Sequence, residues 1–349
     1  MKTEIISLSS KKGEGLERAA KIIREGGLVA FPTETVYGLG GDALNADSAR
    51  RIYEAKGRPS DNPLIVHIAE LSDLKLYARE VPKQALELAR AYWPGPMTLV
   101  LKKTKLIPDE TSGGLDTVAI RMPSNRIALE LIRRSETAIA APSANLSGRP
   151  SPTCAEHVRE DLDGRIDMII DGGSSTIGLE STIIDFSEGS PILLRPGAID
   201  QEMLRAVIGE VKKDPALSGR PDEKARPKAP GMKYRHYAPK AEITIVNGSK
   251  EAVIKTIVFF AERDMLRGRR VGIIATKETA DFYPFGIVCA VGSREDEKSI
   301  AHNLFSVLRG FDEKQVDVIY SESFSQEGLG EAVMNRLLKA AAYRSIEAS

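Results

Sequence analysis

The stretch KGRPSDNPLIVH, Lys56–His67, contains the change of pattern on which the fold prediction rests. The segment that leads into it, ADSARRIYEAKG (46–57), has helical spacing, and Gly57 is a residue type that commonly ends a helix. Pro59 prevents the helix from resuming, and the apolar run PLIVHIA (63–69) predicts a strand. A helix, a short polar loop and a strand in this order indicate an α/β fold.

Helix and strand patterns alternate over most of the chain. The helix at 46–57 is expected to have Asp47 or Ser48 near its N-cap, where a side-chain oxygen accepts backbone N–H groups. Helical spacing also occurs at 16–25, 83–93 and 126–135. Strand-like runs are LVAF (28–31), MTLVLKK (97–103), TVAIRM (117–122), AIAAPSAN (138–145), DMIIDGG (167–173), STIIDF (181–186) and PILLRPG (191–197). This interleaving predicts an α/β N-terminal domain with a large, twisted, mixed sheet.

Composition divides the chain into three segments. Residues 1–211 are predicted to form the N-terminal domain. Residues 212–240 contain five prolines, many charges and no apolar periodicity, which is typical of a linker. Residues 241–349 again alternate strand and helix patterns, and they predict a smaller, Rossmann-like, doubly wound α/β domain.

Charge and composition exclude several classes of protein. Lys plus Arg equals Asp plus Glu, at 49 each, which argues against a protein that coats nucleic acid or an anionic membrane. Cys154 and Cys289 are far apart and the four histidines are scattered, so a zinc ribbon is not expected. No apolar run approaches the roughly 20 residues of a membrane span. With no apolar signal-peptide core either, we expect a cytoplasmic protein without membrane contact.

The segment GLGGDA (38–43) matches the G-x-G-x-x-A pattern of dinucleotide-binding proteins, but its context does not fit. The strand predicted at 28–31 ends six residues earlier, and the next helix begins only after LNAD (44–47). The glycines are instead expected to form a tight turn beside a site. Because no G-x-x-x-x-G-K-[ST] sequence occurs, bound ATP would need phosphate donors from elsewhere in the chain.

Lys56, Arg58 and Asn62 form a first candidate phosphate site. Gly57 and Pro59 would place the two cations on a short ordered loop, where both could face one anion. The alternative is a helix C-terminus whose cations favour the helix dipole and which needs no ligand. The residues alone leave both interpretations open.

The loop APSANLSGRPSPT (141–153) forms a second candidate site. Its small side chains carry hydroxyl and amide groups that can donate to a phosphate or a carboxylate. These residues are Ser143, Asn145, Ser147, Ser151 and Thr153. An ordinary polar turn is the alternative interpretation.

Two arginines, Arg121 and Arg195, each end an apolar strand pattern and are soon followed by proline. An arginine in that position needs a partner, or it lies at the open carboxyl edge of the sheet, where α/β proteins bind ligands. Together with the two loops, these arginines predict a phosphate or carboxylate site.

Eight motifs, taken in order, resemble the Sua5/YrdC/YwlC family, and more narrowly its two-domain Sua5 form. They are PTETVYGLG (32–40), KGRPSDNPLIVH (56–67), WPGPMTLVL (93–101), GLDTVAIRMP (114–123), APSANLSGRPSPT (141–153), GLESTIID (178–185), LLRPGAI (193–199) and PGMKYRHYAP (230–239). The resemblance covers nearly the whole chain, and it implies an N-terminal YrdC-like domain followed by a C-terminal Sua5 domain.

The resemblance implies a nucleotidyltransferase that converts L-threonine, bicarbonate and ATP into L-threonylcarbamoyl-adenylate and pyrophosphate. This adenylate would supply the N6-threonylcarbamoyl group (t6A37) of adenosine 37 in tRNAs that read ANN codons. A separate tRNA threonylcarbamoyl-transferase complex would make the transfer. Mg²⁺ is expected with the ATP, without metal ligands from protein side chains.

The resemblance also implies which residues bind each substrate. Lys56 and Arg58 would be the catalytic residues and would hold the triphosphate. The full ATP-binding set is Lys56, Arg58, Asn62, Thr117, Ser143, Asn145, Ser151, Arg195, Tyr234 and His236. The threonine-binding set is Thr35, His67, Arg121, Ala141 through its backbone, and Ser181. We add Thr33 because it precedes Thr35 by two residues and could share its face of an extended segment. Arg121 suits the substrate carboxylate because a guanidinium can bind it through two parallel hydrogen bonds.

The end of the predicted linker, PGMKYRHYAPK, combines three ring side chains with clustered cations. We predict that it folds as a lid across the mouth of the N-terminal site, whereas a solvated tether is the alternative.

For the whole chain, the alternative function is an RNA-binding translation or ribosome accessory protein. Neutral net charge, few aromatic residues and no RNP-like motif argue against it, although we keep a weak RNA contact as an expectation.

Overall fold

The structure is a computed structural model that describes residues 2–7, 12–217, 219, 227–230 and 236–349. The chain divides into two compact units. The first is formed by residues 1–147 and 151–234, and the second by residues 148–150 and 235–349.

The first unit contains a mixed sheet with helices packed on it. Its strands are β1 (Glu4–Ser7), β2 (Val29–Phe31), β3 (Gly38–Asp42), β4 (Ile65–His67), β5 (Met97–Lys102), β6 (Thr117–Arg121), β7 (Ile139–Ala140), β8 (Met168–Asp171), β9 (Thr182–Asp185), β10 (Ile192–Arg195) and β11 (Lys212–Lys213). Its α-helices are α1 (Lys12–Arg24), α2 (Ala46–Lys56), α3 (Leu74–Tyr77), α4 (Lys83–Tyr92), α5 (Arg126–Ser135), α6 (Ala155–Leu162) and α7 (Gln201–Ile208). Among the described residues, eleven strands lie in the order β1-β8-β2-β3-β7-β4-β6-β5-β9-β10-β11. Parallel and antiparallel pairs both occur, which confirms the predicted large mixed sheet.

The run that begins at Leu28 shows why both faces of this sheet are covered. Leu28 and Ala30 pack into a core that includes apolar residues of α2 and α4. Val29 and Phe31 point to the opposite face and pack with α1 and α5. Because side chains alternate along a strand, four consecutive apolar residues fit a strand that is buried on both sides.

The prediction of a tight turn at 38–43 is wrong, because Gly38–Asp42 is the strand β3, between β2 and β7. Gly40 lies where the neighbouring side chains leave no room for a larger residue. A Cβ atom there would be 2.7 Å from Cγ2 of Ile139 and 2.8 Å from Cε1 of Phe31. The rejection of a dinucleotide loop is consistent with this result, since that motif needs its glycines after a strand, not within one.

Helix α2 ends as predicted but begins with a different cap. Gly57 ends it in the left-handed conformation, with φ 59°, as its position indicated. The N-cap is Asn45, not Asp47 or Ser48, which lie inside the first turn. The Asn45 side chain accepts the N–H groups of both residues, which satisfies donors that have no partner within the helix.

The second unit contains a parallel sheet. Its strands are β12 (Glu242–Asn247), β13 (Val271–Ala275), β14 (Ile287–Ala290), β15 (Val318–Glu322) and β16 (Ser345–Glu347). Its α-helices are α8 (Lys250–Leu266), α9 (Glu297–Glu313) and α10 (Gly328–Ala340). Among the described residues, the strand order is β14-β13-β15-β12-β16, and each ladder is parallel. This arrangement confirms the predicted smaller α/β domain.

The segment predicted as a linker, 212–240, is partly built into the two units. Lys212–Lys213 pairs with β10, and Ala229 is buried in an apolar cluster of the first unit. The amide of Ala238 donates to the carbonyl of Gly148 within the second unit, at 2.9 Å. Residues 231–235 lie outside the described part of the chain, so the lid stays a prediction.

In the part of the chain that is described, no helix is both long and apolar enough to cross a membrane.

The crowding at Gly40 gives a test of the β3 assignment. Gly40→Ala should lower the free energy of unfolding by about 1–3 kcal/mol, because the added methyl group must displace packed neighbours. The matched control is Gly13→Ala in α1, where a Cβ meets nothing within 4 Å. That substitution should be neutral or stabilise by up to about 1 kcal/mol. Equal stability of the two variants in denaturant titrations would contradict the assignment.

Candidate functional site

Three of the predicted threonine-binding residues lie on neighbouring strands of the first unit. His67 is paired with Arg121 in the parallel ladder of β4 and β6, and it is also paired with Ile139 of β7. The amide of Ala141, just beyond β7, donates to the carbonyl of Ile65 at 2.8 Å. The sheet register therefore brings His67, Arg121 and Ala141 together.

Arg121 is buried, with 4% of its surface exposed, and it connects three segments. Its Nη1 donates to Oγ1 of Thr35 at 2.9 Å, and its Nη2 donates to Oε1 of Glu34 at 2.6 Å. Its Nε donates to the carbonyl of Gly95 at 3.4 Å. The described contacts thus use three of the five guanidinium N–H groups, and one remains on each terminal nitrogen.

Sequence reasoning missed Glu34, although it lies between two predicted ligands, Thr33 and Thr35. The argument that a strand-ending arginine needs a partner could have identified it, because Glu34 is the acidic residue of the TET motif. Both members of the ion pair are buried, with side-chain exposures of 5% for Arg121 and 9% for Glu34. Removing either one would leave a buried charge without its partner, which is strongly destabilising.

A chain of hydroxyl groups extends from Arg121. The hydroxyl of Thr33 donates to the carbonyl of Val36 at 2.6 Å and lies 2.8 Å from Oγ1 of Thr35. Because the single proton of Thr33 is used on Val36, Thr35 donates to Thr33. Thr35 also accepts from Arg121, so both neighbours fix the orientation of its hydroxyl.

His67 is buried next to this arginine and is neutral. Loss of hydration, together with the Arg121 cation, lowers the pKa of His67 to about 3. Its Nδ1 lies 3.0 Å from the carbonyl of Ile65. Since a carbonyl only accepts, Nδ1 carries the ring proton. An uncharged imidazole beside Arg121 avoids placing two cations in one buried site.

Ser181 and Arg195 lie together, although the resemblance assigned them to different substrates. Nε and Nη2 of Arg195 donate to the carbonyl and hydroxyl oxygens of Ser181, at 3.0 and 3.1 Å. Oγ1 of Thr98 lies 2.7 Å from Oγ of Ser181. Nη1 of Arg195 donates to the carbonyl of Pro230 at 3.1 Å. Arg195 thus connects a predicted threonine ligand with the chain that follows the first unit's last strand.

Lys56 joins the two loops predicted to bind phosphate. Its ammonium donates to the carbonyl oxygens of Ser143 and Asn145, and only 2% of the residue is exposed. The hydroxyl of Ser143 in turn donates to Oδ1 of Asn145 at 2.5 Å. The amide of Ser147 donates to the carbonyl of Lys56 at 2.9 Å. The end of α2 and the loop after β7 are therefore held as one structure.

Arg58 is held by its own loop. Its Nε donates to the carbonyl of Asn62, and its Nη2 donates to that of Pro63, both at 3.2 Å. Asn62 itself is 1% exposed. The loop after Gly57 is thus ordered around the arginine, as the phosphate-site interpretation expected, and the binding of phosphate there stays a prediction.

For the other predicted residues the described contacts show no link to Arg121 or Lys56, or the residues lie outside the description. Thr117 begins β6, so it lies about 13 Å along the strand from Arg121. The hydroxyl of Ser151 donates to Oε1 of Glu180, at 2.5 Å, which the sequence reasoning did not anticipate. His236 belongs to the second unit, and Tyr234 lies outside the described residues. The binding roles of all these residues stay predictions.

Similarity to known proteins covers both units. Residues 21–197 match the Sua5/YciO/YrdC family described as "Telomere recombination", and residues 199–342 match the "Threonylcarbamoyl-AMP synthase, C-terminal domain" family. A Pyrococcus abyssi protein named threonylcarbamoyl-AMP synthase is 52% identical over 329 residues, 94% of each chain. A Bacillus subtilis protein of the same name is 50% identical, over 95% of this chain and 94% of its own. The structure of P. abyssi Sua5 complexed with L-threonine has a TM-score of 0.93 at 48% identity and full coverage of both chains.

The state of His67 predicts a specific dependence on pH. The folded pKa of His67 is about 3 and its ordinary value is 6.5, so only the unfolded state gains a proton between these values. Above the unfolded pKa, neutral His67 contributes its full share to the free energy of unfolding. As the pH falls from the unfolded pKa toward the folded pKa, the free energy of unfolding decreases by up to about 1.4 kcal/mol per pH unit. Imidazole resonances of His67 should not titrate down to about pH 4, whereas in denaturant they should titrate near pH 6.5. Titration of the folded protein near the ordinary pKa would contradict a buried, neutral ring.

Proposed function

The chain belongs to the two-domain Sua5/YrdC family, and we propose from this membership and from the Arg121 site that it is a threonylcarbamoyl-AMP synthase. This enzyme is a nucleotidyltransferase that forms threonylcarbamoyl-adenylate and pyrophosphate from L-threonine, bicarbonate and ATP. The observation that supports the proposal best is the buried Arg121, which lies beside threonine hydroxyls and has two N–H groups that the described contacts do not use. It lies in a chain that matches enzymes of this name over at least 94% of their length.

Threonine binds at Arg121 in this proposal. The remaining N–H groups on Nη1 and Nη2 can donate to the two oxygens of the substrate carboxylate, and the bonds to Glu34 and Thr35 can stay intact. Ala141 and Ser181 supply polar groups around the substrate, as the family resemblance implies. The neutral ring of His67 adds hydrogen-bonding capacity without repelling the substrate ammonium.

ATP binds at the loops held by Lys56. Lys56 and Arg58 neutralise the triphosphate, and the hydroxyl and amide groups of Ser143 and Asn145 add neutral contacts. Each cation is already fixed by backbone carbonyls, so little conformational freedom is lost when the nucleotide binds. Ser151 and Arg195 complete the nucleotide site within the first unit.

Mg²⁺ accompanies ATP in this proposal. Within the described residues, no group of three or more His, Cys, Asp or Glu side chains could hold a metal ion. The predicted nucleotide-binding residues offer hydroxyl and amide oxygens, a donor set that fits an ion bound mainly by phosphates and water. When bound, Mg²⁺ supplies charge neutralisation at the phosphates.

The reaction requires positioning more than covalent chemistry by the protein. The neutral amino group of threonine forms a bond to the carbon of carbon dioxide, one C=O π bond becomes the C–O⁻ of the carbamate, and the nitrogen releases a proton. When bicarbonate is the source of the carbon, its hydroxyl group leaves as water together with that proton. A carbamate oxygen then attacks the α-phosphorus, and the bond to pyrophosphate breaks. Fixed cations hold the two substrates close together and stabilise the charge that develops, as in other phosphoryl transfers.

The product is an activated donor for a second enzyme. A tRNA threonylcarbamoyl-transferase complex uses it to form t6A at position 37 of tRNAs that read ANN codons. A mixed anhydride of this kind reacts readily with water, so a site that excludes water would protect it. The RNA-binding alternative has no observation in its favour among the described residues.

Purified protein with Mg²⁺ should release pyrophosphate from ATP only when threonine and bicarbonate are both present. Serine should be the poorer substrate, because loss of the contacts to the methyl group weakens binding by roughly 1–3 kcal/mol. The measurement is a coupled pyrophosphate assay with each substrate omitted in turn. Pyrophosphate release that is indifferent to threonine and bicarbonate would overturn the proposed function.

A further inference from the structure

We propose that Glu34 binds the amino group of threonine through Oε2, while its Oε1 holds Arg121 for the substrate carboxylate. Glu34 is not among the residues that the motif resemblance implies for either substrate. The proposal deepens the proposed function and rests on it, since it concerns how the same site recognises a free amino acid.

The two oxygens of the Glu34 carboxylate are in different environments. Oε1 accepts a charge-assisted hydrogen bond from Arg121 at 2.6 Å. Oε2 is buried and has no hydrogen-bond partner among the described residues. A buried carboxylate oxygen without a donor is destabilising, so its presence calls for an explanation. A donor that arrives with the substrate provides one.

The ion pair has the charges that a zwitterion requires. A free amino acid carries an ammonium and a carboxylate on the same carbon atom. Arg121 offers two N–H groups, and Glu34 offers Oε2 directly beside them, because its other oxygen is bonded to the same guanidinium. The guanidinium can therefore face the substrate carboxylate while the adjacent Glu34 carboxylate faces the substrate ammonium, so the charges of the protein complement those of the substrate.

The backbone keeps Glu34 in this position. Its carbonyl accepts the amide of Ile177 at 2.8 Å and the hydroxyl of Thr176 at 3.4 Å. The carboxylate is held at its other end by Arg121. A side chain fixed at both ends can bind a small substrate without losing much further entropy.

A purely structural role for Glu34 makes a different prediction. If Glu34 only orients Arg121, its loss should weaken every ligand that has a carboxylate. If Oε2 binds the ammonium, replacement by glutamine should weaken ligands that have an amino group far more than ligands that have only the carboxylate, because the amide oxygen of glutamine can still accept from Arg121. Threonine and 3-hydroxybutyrate, which is threonine without its amino group, distinguish the two roles.

The experiment titrates both compounds into the full-length wild-type protein and into Glu34→Gln, with NMR detection of the ligand. Glutamine keeps the shape of the side chain but removes its charge. Threonine binding should weaken roughly ten- to hundredfold, as expected for loss of a charge-assisted bond, and 3-hydroxybutyrate binding should change little. Equal losses for both compounds, or no loss for either, would overturn the proposal.

Two controls make each outcome decisive. Glu322→Gln removes the charge of another buried glutamate, whose Oε2 accepts from Arg294 at 2.6 Å in the second unit. That variant should bind threonine like the wild type, and thermal unfolding reports whether both variants are folded. If wild-type protein binds no threonine at all, the proposed function fails, whereas wild-type binding with an unaffected Glu34→Gln variant rejects only the role of Glu34.

If Glu34→Gln does not fold, or if 3-hydroxybutyrate binds too weakly to titrate, a crystal structure of the wild-type threonine complex decides. A hydrogen bond of about 2.7–2.9 Å between the threonine nitrogen and Oε2 supports the proposal. A threonine nitrogen beyond hydrogen-bond distance of Oε2 contradicts it.

Discussion

Arg121 is a cation removed from water, and a buried cation requires partners that replace its hydration. It obtains them from two separate segments, through Glu34 and Thr35 in one and the carbonyl of Gly95 in the other. The loops after β2 and before β5 are therefore attached to the end of β6. This single residue organises the part of the sheet at which the predicted threonine ligands lie together.

The same physical requirement orders the neighbouring loops. Lys56, Arg58 and Arg195 each donate to backbone carbonyls of a loop that carries other predicted ligands. A carbonyl holds a cation in place without cancelling its charge, which suits a site for polyphosphate. Arg121 has a carboxylate partner, Glu34.

The fold was largely predictable because apolar periodicity reports burial. The helix predicted at 126–135 is α5, and three residues of the run LVAF form β2 with both faces covered. Strand β3 could not be predicted, because glycine is unfavourable in strands unless a close neighbour excludes larger residues. That neighbour, Ile139, is distant in the sequence, so only the folded chain shows the reason. Helix α6 (Ala155–Leu162) was not predicted either.

The candidate site was predictable only in part. Residue types suggested a phosphate or carboxylate site at Lys56, Arg58 and Arg121, but the division between two substrates came from the family resemblance. The Glu34–Arg121 pair joins residues 87 positions apart, and sequence spacing carries no information about such a contact. Local signals such as Gly57 were informative because a helix end depends on nearby residues alone.

The central claim is that Arg121 and the loop that contains Lys56 and Arg58 bind different substrates. A crystal structure of the protein with threonine and a non-hydrolysable ATP analogue tests it most directly. The account predicts the threonine carboxylate on the guanidinium of Arg121 and the triphosphate on the loop that contains Lys56 and Arg58. A triphosphate on Arg121, or a threonine carboxylate bound elsewhere, would contradict it.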